Sequence, residues 1–248
     1  MKCALCENEY SKLCQSHIIP KLVYKRIRLH PKSRFRNLSE VNRPLQDGEK
    51  HYMLCSACEE RFSKLETWFA DDFLDEYLNT GKIPYKSNKD LLNRYIYSVS
   101  WRILNDDLYR MDSFCDQWAR TIFENIELTL RDYLYKEKNT PPARFKNYIF
   151  SLGSLNISKD ITEISKSFLF GYSCYYIKHN QFIVITYYAG LLFITSYSPK
   201  KFLFFNRSNN VKKIARKEFL DQIISYSKTY NENVTPELLN KIDEFYKK

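Results

Sequence analysis

Four cysteines near the beginning of the chain occur as two C-x-x-C pairs, Cys3 with Cys6 and Cys55 with Cys58. Structural zinc sites prefer four thiolate or imidazole ligands in a tetrahedron, and each C-x-x-C turn supplies two sulfurs on one side of the ion. Unligated cysteines have no reason to recur at this spacing. The sequence therefore predicts a structural Zn²⁺ ion bound by these four side chains.

Cys14 lies between the two pairs and leaves one alternative open, because its thiolate could replace one of the four ligands. A free cysteine in a folded protein is more often a small buried apolar side chain. Since four better-spaced ligands already exist, we predict that Cys14 is buried and does not bind the ion.

The first histidine after the first cysteine pair lies in the segment Ser16-His17-Ile18-Ile19-Pro20. A neutral imidazole can take a proton from a water molecule and so act as a general base. The same side chain could instead cap the zinc hairpin or hydrogen-bond to a backbone carbonyl. The residue type and its position leave both roles open.

Taken together, the first cysteine pair, the segment 16–20 and the second pair before a predicted helix resemble the HNH endonuclease family over residues 1–75. This resemblance implies a ββα-metal core of treble-clef type, braced by the four-cysteine zinc site, that hydrolyses phosphodiester bonds. It also implies that His17 is the general base, while a divalent cation, Mg²⁺ or Mn²⁺, steadies the scissile phosphate. A zinc ion enclosed by four sulfurs has no open position for that second role.

Two of the three HNH signature positions are altered in this chain: Lys50 and His51 stand near the middle asparagine, and Glu59 or Glu60 replaces the final histidine. In addition, the acidic residue that usually precedes the first histidine is replaced by Ser16. In a rearranged site, Glu59 would bind the cation and His51 would bind it or orient the base. An inactive descendant is the alternative, in which the glutamates form a solvated helix face.

The formal charge of +10 is unevenly distributed along the chain. Residues 21–43 contain eight basic side chains against the single acid Glu40. Clustered basic residues favour a phosphate backbone, because each one near a phosphate releases condensed counterions. The predicted nucleic-acid-binding residues are Lys21, Lys25, Arg26, Arg28, Lys32, Arg34, Arg36 and Arg43. A merely soluble basic surface is the alternative.

Apolar residues at spacings of three and four predict three helices between residues 58 and 133. One follows Cys58 and ends at Gly81, a second begins with a cap at Ser87 and runs to about Tyr109, and a third spans 118–133. β-branched and aromatic runs then predict strands at 145–152, 168–178, 181–188 and 191–197, with hairpin turns at 179–180 and 189–190. Helical patterns return at 217–230 and 236–246.

These patterns predict an α+β protein with an N-terminal zinc domain over 1–80. An α+β domain over 85–248 follows, with a helical segment, an antiparallel sheet and C-terminal helices. The apolar run 182–194 is too short for a membrane span, no secretory signal is visible, and paired cysteines suit a reducing compartment. We therefore expect a cytoplasmic protein with no membrane partner.

Three functions stay open at this point. The first is a metal-dependent nuclease in which the basic segment 21–43 tracks the phosphate backbone. The second is an inactive module that binds nucleic acid without cutting it. The third is an interaction protein whose C-terminal domain binds a protein partner, as a toxin, antitoxin or phage-defence subunit would. The resemblance suggests a bacterial or phage origin.

Overall fold

The chain folds into an α+β structure that contains one two-stranded and one six-stranded sheet. The computed structural model describes residues 1–28, 35–37, 40–84, 87–110, 117–156, 169–177, 181–199 and 210–221. The N-terminal elements are β1 (Cys14–His17), α1 (Lys21–Ile27), β2 (Phe35–Asn37), β3 (Glu40–Leu45), β4 (Lys50–Leu54) and α2 (Ser56–Trp68). The later elements are α3 (Asp75–Thr80), α4 (Lys89–Arg110), α5 (Gln117–Tyr135), β5 (Phe145–Ser151), β6 (Leu169–Tyr176), β7 (Phe182–Tyr188) and β8 (Leu191–Tyr197). Residues 210–221 are also helical.

The basic segment 21–43 begins with a helix that its charge pattern concealed. Val23, Tyr24 and Ile27 are buried at spacings of one and three, so one face of α1 packs into the core while the lysines face outward. Pro20 occupies the N-cap position with a φ of −54° and a ψ of 138°, so its backbone is still extended and the helix begins at Lys21. The cluster of basic residues is therefore carried partly by an ordered helix.

The helix predicted after Cys58 is confirmed, with a change of winding in its middle. It begins at Ser56 and is interrupted by a π-helical turn over Phe69–Leu74 before α3 completes it. Gly81 ends α3 at a φ of 68°, where its N–H donates to the Tyr77 carbonyl at 2.8 Å. A left-handed C-cap of this kind requires glycine or a residue that tolerates positive φ.

The cap of α4 is Asn88, one residue after the predicted Ser87. Its side-chain oxygen accepts hydrogen bonds from the backbone N–H groups of Asp90 at 3.1 Å and Leu91 at 3.2 Å. Asparagine is among the strongest N-cap residues, so it competes successfully with the neighbouring serine. The rest of the prediction for α4, and that for α5, is confirmed.

The six strands of the larger sheet run in the order β3-β2-β6-β7-β8-β5. All pairs are antiparallel except β2 with β6, which is parallel. The turn Ala189-Gly190 joins β7 to β8 with φ values of 55° and 74°, as a two-residue hairpin requires. The predicted strands are confirmed, but β2 and β3 extend the sheet from the N-terminal part of the chain, which the sequence patterns did not indicate.

One hydrophobic core joins the N-terminal part of the chain to the large sheet. The Phe69 ring stacks on Tyr95 of α4 at a centroid distance of 3.6 Å, and it meets the Phe193 ring of β8 at 5.8 Å. The Tyr95 and Tyr188 hydroxyls are hydrogen-bonded at 3.0 Å within the same core. The domain boundary near residue 80 stays a prediction, but side chains from both sides of it are buried together.

Three expectations concern parts of the chain that the structure does not describe. The hairpin turn 179–180, the helix 236–246 and most of the helix 217–230 lie outside the described residues. Among the helices that are described, none combines the length and the apolar character that a membrane span requires.

The shared core makes Phe69 a position whose loss should destabilise the whole chain. We expect Phe69→Ala to lower the free energy of unfolding by about 3–5 kcal/mol, because it leaves a cavity between the π-helical turn, α4 and β8. Leu78→Ala is the matched control on α3, since Leu78 is 37% exposed, and should cost about 0.5 kcal/mol. Urea unfolding at constant zinc concentration measures both, and equal effects would contradict a shared core.

Candidate metal centre and the adjoining basic cleft

The structure brings the two predicted cysteine pairs together. The sulfur atoms of Cys3, Cys6, Cys55 and Cys58 all lie within 4.8 Å of one another, and those of Cys6 and Cys55 are 3.9 Å apart. A tetrahedral zinc site with Zn–S bonds of about 2.3 Å has sulfur–sulfur edges of about 3.8 Å. The spacing and the donor set therefore fit a structural zinc ion.

Backbone geometry at each pair shapes this cluster. The first pair lies on a tight turn in which the Glu7 N–H donates to the Cys3 carbonyl at 2.9 Å and Glu7 adopts a φ of 61°. Cys55 precedes α2 at its N-cap position, and its backbone N–H donates to the Cys3 sulfur at 3.3 Å. The positive end of α2 therefore faces the thiolates, as the sequence predicted.

Four sulfurs this close together cannot all be ionised without a cation. Burial raises the pKa of the Cys3 and Cys58 thiols. Burial opposes ionisation of Cys55 as well, but the Cys58 backbone N–H and the Tyr10 hydroxyl donate to its sulfur and lower its pKa to about 6. A bound divalent cation would compensate the repulsion among four thiolates, which is the usual reason that such clusters bind zinc.

Cys14 is not one of the four clustered cysteines. It lies on β1 opposite Leu54, and its side chain is half-buried rather than fully buried as predicted. Within the described part of the chain, the four-cysteine group consists of the predicted residues alone.

The strands β1 and β4 form the small antiparallel sheet, and α2 follows directly. His17 pairs with Lys50 in this sheet, whereas Ser16 pairs with His51. Because side chains of successive strand residues point to opposite faces, His17 and His51 lie on opposite faces of this pair of strands. We call the pair the β1–β4 hairpin, although α1, β2 and β3 lie between its strands in the sequence. The structure thus does not bring together the two histidines that the sequence analysis assigned to one site.

His17 lies against an acidic residue that sequence analysis did not single out. Its Nε2 atom is 3.3 Å from Asp47 Oδ2, in a charge contact that is not well aligned as a hydrogen bond, and its side chain is 14% exposed. Burial lowers the pKa of His17, although Asp47 opposes this shift. Burial raises the pKa of Asp47, but contact with His17 and the charge of Lys50 outweigh it and lower that pKa. His17 is therefore neutral at pH 7, as a general base must be.

A basic cleft of about 540 Å³ opens beside this pair. Its charged lining consists of Lys21, Lys25, Arg28 and Lys50 together with Asp47. Lys50 Nζ lies 3.4 Å from Asp47 Oδ1, and the three other basic residues leave the cleft with an excess of positive charge that would attract an anion. Three of the four basic residues belong to the predicted set, and the fourth is the strand partner of His17.

The remaining predicted basic residues have other surroundings. Arg26 forms ion pairs with Asp71 and with Asp75, the latter at 2.8 Å, and so joins α1 to the end of the long helical stretch. Lys32 and Arg34 lie outside the described residues, as do the side chains of Arg36 and Arg43. Their roles in binding nucleic acid stay predictions.

Two of the residues that depart from the HNH pattern contact one another. Ser16 is fully buried, and its hydroxyl donates to the Glu59 carboxylate at 2.6 Å. Among the described residues, neither Glu59 nor His17 belongs to a group of three clustered metal-ligating side chains. These residues do not by themselves fit a catalytic Mg²⁺ or Mn²⁺ ion bound by Glu59 and His51, and the catalytic roles of all three stay predictions.

Sequence analysis did not predict that two acidic residues, Asp47 and Asp106, contact this hairpin, and the reasons differ. Asp47 precedes β4 by three residues, and its proximity to His17 could have been found by pairing the strands around the cysteines. Asp106 belongs to α4, and its Oδ1 atom lies 3.2 Å from His51 Nε2. No local pattern signals that contact, because it depends on how α4 packs against the hairpin.

Comparisons with protein-family models, curated proteins and solved structures find no significant match to this chain. No family match therefore supports the HNH resemblance, which rests on the motif residues themselves. The cysteine cluster is compatible with a zinc module.

The cluster predicts one zinc ion per chain, lost when a ligand is removed. We expect Cys6→Ser to weaken Zn²⁺ binding by about 100-fold or more, because one of four charged donors is replaced by a poor ligand. Cys14→Ser, the matched control, should retain one equivalent. Elemental analysis after gel filtration in the presence of a competing chelator measures the zinc content of both variants. Loss of zinc from Cys14→Ser would show that Cys14 is a ligand after all.

Proposed function

We propose that this chain is a zinc-stabilised protein of HNH-like, treble-clef type that binds the phosphate backbone of nucleic acid in the basic cleft. The observation that carries the proposal is the convergence of Lys21, Lys25, Arg28 and Lys50 on one cleft beside His17. The β1–β4 hairpin followed by α2, with the cysteine cluster at its base, supports the comparison with the ββα-metal core.

Two properties of the cleft favour a phosphate over other anions. The basic side chains come from α1, from Arg28 at its C-cap and from the start of β4, so positive charge approaches a ligand from two sides. Their ammonium and guanidinium groups donate several hydrogen bonds, as the non-bridging oxygens of a phosphodiester require. Release of condensed counterions supplies a further driving force for a polyanion that a single phosphate ion lacks.

Hydrolysis of the bound backbone is the second candidate function, favoured by the contact of His17 with Asp47. The carboxylate favours a proton on Nε2 of the imidazole, which leaves Nδ1 as the basic atom. In this scheme, Nδ1 takes a proton from water while the water oxygen attacks phosphorus. The bond to the leaving oxygen breaks, this oxygen takes a proton from solvent, and the histidine proton returns to solvent. Lysine charges in the cleft would stabilise the developing negative charge.

Binding should depend strongly on salt and on the lysines of α1. We expect the double variant Lys21→Glu, Lys25→Glu to weaken binding of a short DNA or RNA duplex about tenfold or more at moderate salt. The slope of log affinity against log salt should fall by about 0.9 for each DNA phosphate contact removed. Fluorescence anisotropy with labelled oligonucleotides measures both quantities.

Lys136→Glu is the control for this experiment. Lys136 is an exposed lysine at the end of α5, paired with Asp132, and does not line the basic cleft. Its reversal changes net charge by the same amount per residue and should change affinity little. An equal loss from the control, or an affinity independent of salt, would reject the cleft as the binding surface.

If the chain cleaves nucleic acid, cleavage should require neutral His17. Activity should fall as pH drops through the His17 pKa, and because burial lowers that pKa, the midpoint should lie below the ordinary value of about 6.5. His17→Ala should abolish plasmid nicking in the presence of Mg²⁺ or Mn²⁺ while leaving DNA affinity unchanged. Gln15→Ala, an exposed position on the same strand, is the control.

Two results would separate the candidate functions. Cleavage that survives in His17→Ala would exclude His17 as the base. Salt-dependent binding with no cleavage by the wild-type chain at any pH would leave the binding function alone.

A further inference from the structure

We infer that Glu49, His51 and Asp106 form a second divalent-cation site, separate from the cysteine cluster. One ligand atom from each residue lies within 4.8 Å of the others, close enough to surround a single ion. The inference concerns metal binding alone and does not depend on the proposed nucleic-acid function.

The contact between His51 and Asp106 carries the first part of the argument. The Nε2 atom of His51 lies 3.2 Å from Asp106 Oδ1, but within the described part of the chain this buried nitrogen makes no aligned hydrogen bond. Asp106 is 3% exposed, so its carboxylate lies in surroundings of low dielectric constant, where a divalent cation is attracted more strongly than in water. A cation bound by the imidazole nitrogen and the carboxylate would be coordinated by both at once.

Glu49 supplies the third donor from the turn just before β4. Its carboxylate offers an oxygen within 4.8 Å of the ligand atoms of His51 and Asp106, and the Ile18 N–H donates to its backbone carbonyl at 3.0 Å, which holds Glu49 beside the end of β1. The Tyr172 hydroxyl of β6 donates a hydrogen bond to the Glu49 carboxylate. An outer hydrogen bond of this kind commonly orients a metal-binding carboxylate.

The surroundings allow an ion to enter the site. A cleft of about 570 Å³ is lined by His51 and Asp106, by Tyr109, and by Lys2, whose ammonium group pairs with Glu7 at 2.9 Å. The His51 side chain is 42% exposed, whereas Asp106 is buried. Hydrated ions can therefore reach His51 and Asp106 and leave part of their water shell in the cleft.

The donor set indicates which ions fit. One imidazole and two carboxylates suit first-row ions such as Mn²⁺ or Zn²⁺, whereas Mg²⁺ prefers oxygen ligands alone. The site also differs from the one that the HNH resemblance implied, because Glu59 is bound to Ser16 and Asp106 belongs to α4. A bound ion would join α4 to the β1–β4 hairpin.

Mn²⁺ titration of the zinc-loaded full-length chain tests the inference, since thiolates bind Mn²⁺ poorly. Calorimetry should show one Mn²⁺ per chain. Asp106→Asn and His51→Gln should each weaken binding about tenfold to 100-fold or more. Electron paramagnetic resonance of bound Mn²⁺ should show nitrogen hyperfine coupling that His51→Gln removes.

Glu59→Gln is the matched control, because it neutralises a carboxylate on the adjoining helix α2 that is not part of the three-residue group. It should bind Mn²⁺ as the wild type does. Loss of binding in this control but not in Asp106→Asn would overturn the inference and favour the site predicted from the HNH pattern.

A second measurement on the wild-type chain covers the case in which a variant does not fold. Anomalous diffraction from crystals soaked in Mn²⁺ should place one ion between Glu49, His51 and Asp106. An ion located elsewhere, or none at millimolar Mn²⁺, would reject the site. A raised thermal unfolding temperature in Mn²⁺, absent in correctly folded Asp106→Asn, would support it further.

Discussion

The closing of two distant cysteine pairs around one point is the constraint on which the N-terminal structure depends. It holds residues 3–6 beside residues 55–58, and the chain between them must return on itself as the β1–β4 hairpin. A zinc ion at this cluster would close a loop of about 50 residues and would thereby offset a substantial loss of chain entropy. The register that follows decides which chemical groups share a face.

Buried polar contacts then fix α4 against this unit. Arg102 is 1% exposed, lies over the Phe62 ring at 4.8 Å and forms an ion pair with Glu66 of α2. Burial raises the pKa of Glu66, although the Arg102 charge opposes this shift. Breaking such a pair leaves an uncompensated buried charge, so α4 has little freedom to move relative to α2. That rigidity determines where Asp106 meets His51.

The two faces of the hairpin have opposite electrostatic character. On one face, Asp47 contacts His17 and lines a cleft of lysines and an arginine that suits an anion. On the other, Glu49 and Asp106 converge with His51 in a group that suits a cation. Alternation along β1 and β4 separates His17 from His51, whereas the acidic residues reach the two faces from the turn before β4 and from α4.

The sequence by itself determined which four cysteines cluster, the helical stretch that begins at Ser56 and the β7–β8 hairpin. Each depends on a local signal: C-x-x-C spacing, apolar periodicity or a turn at Ala189-Gly190. Only the tertiary structure decided that His17 and His51 lie on opposite faces, and that Asp106 reaches the hairpin. Strand register and helix packing depend on contacts between residues far apart in the chain, which no local pattern encodes.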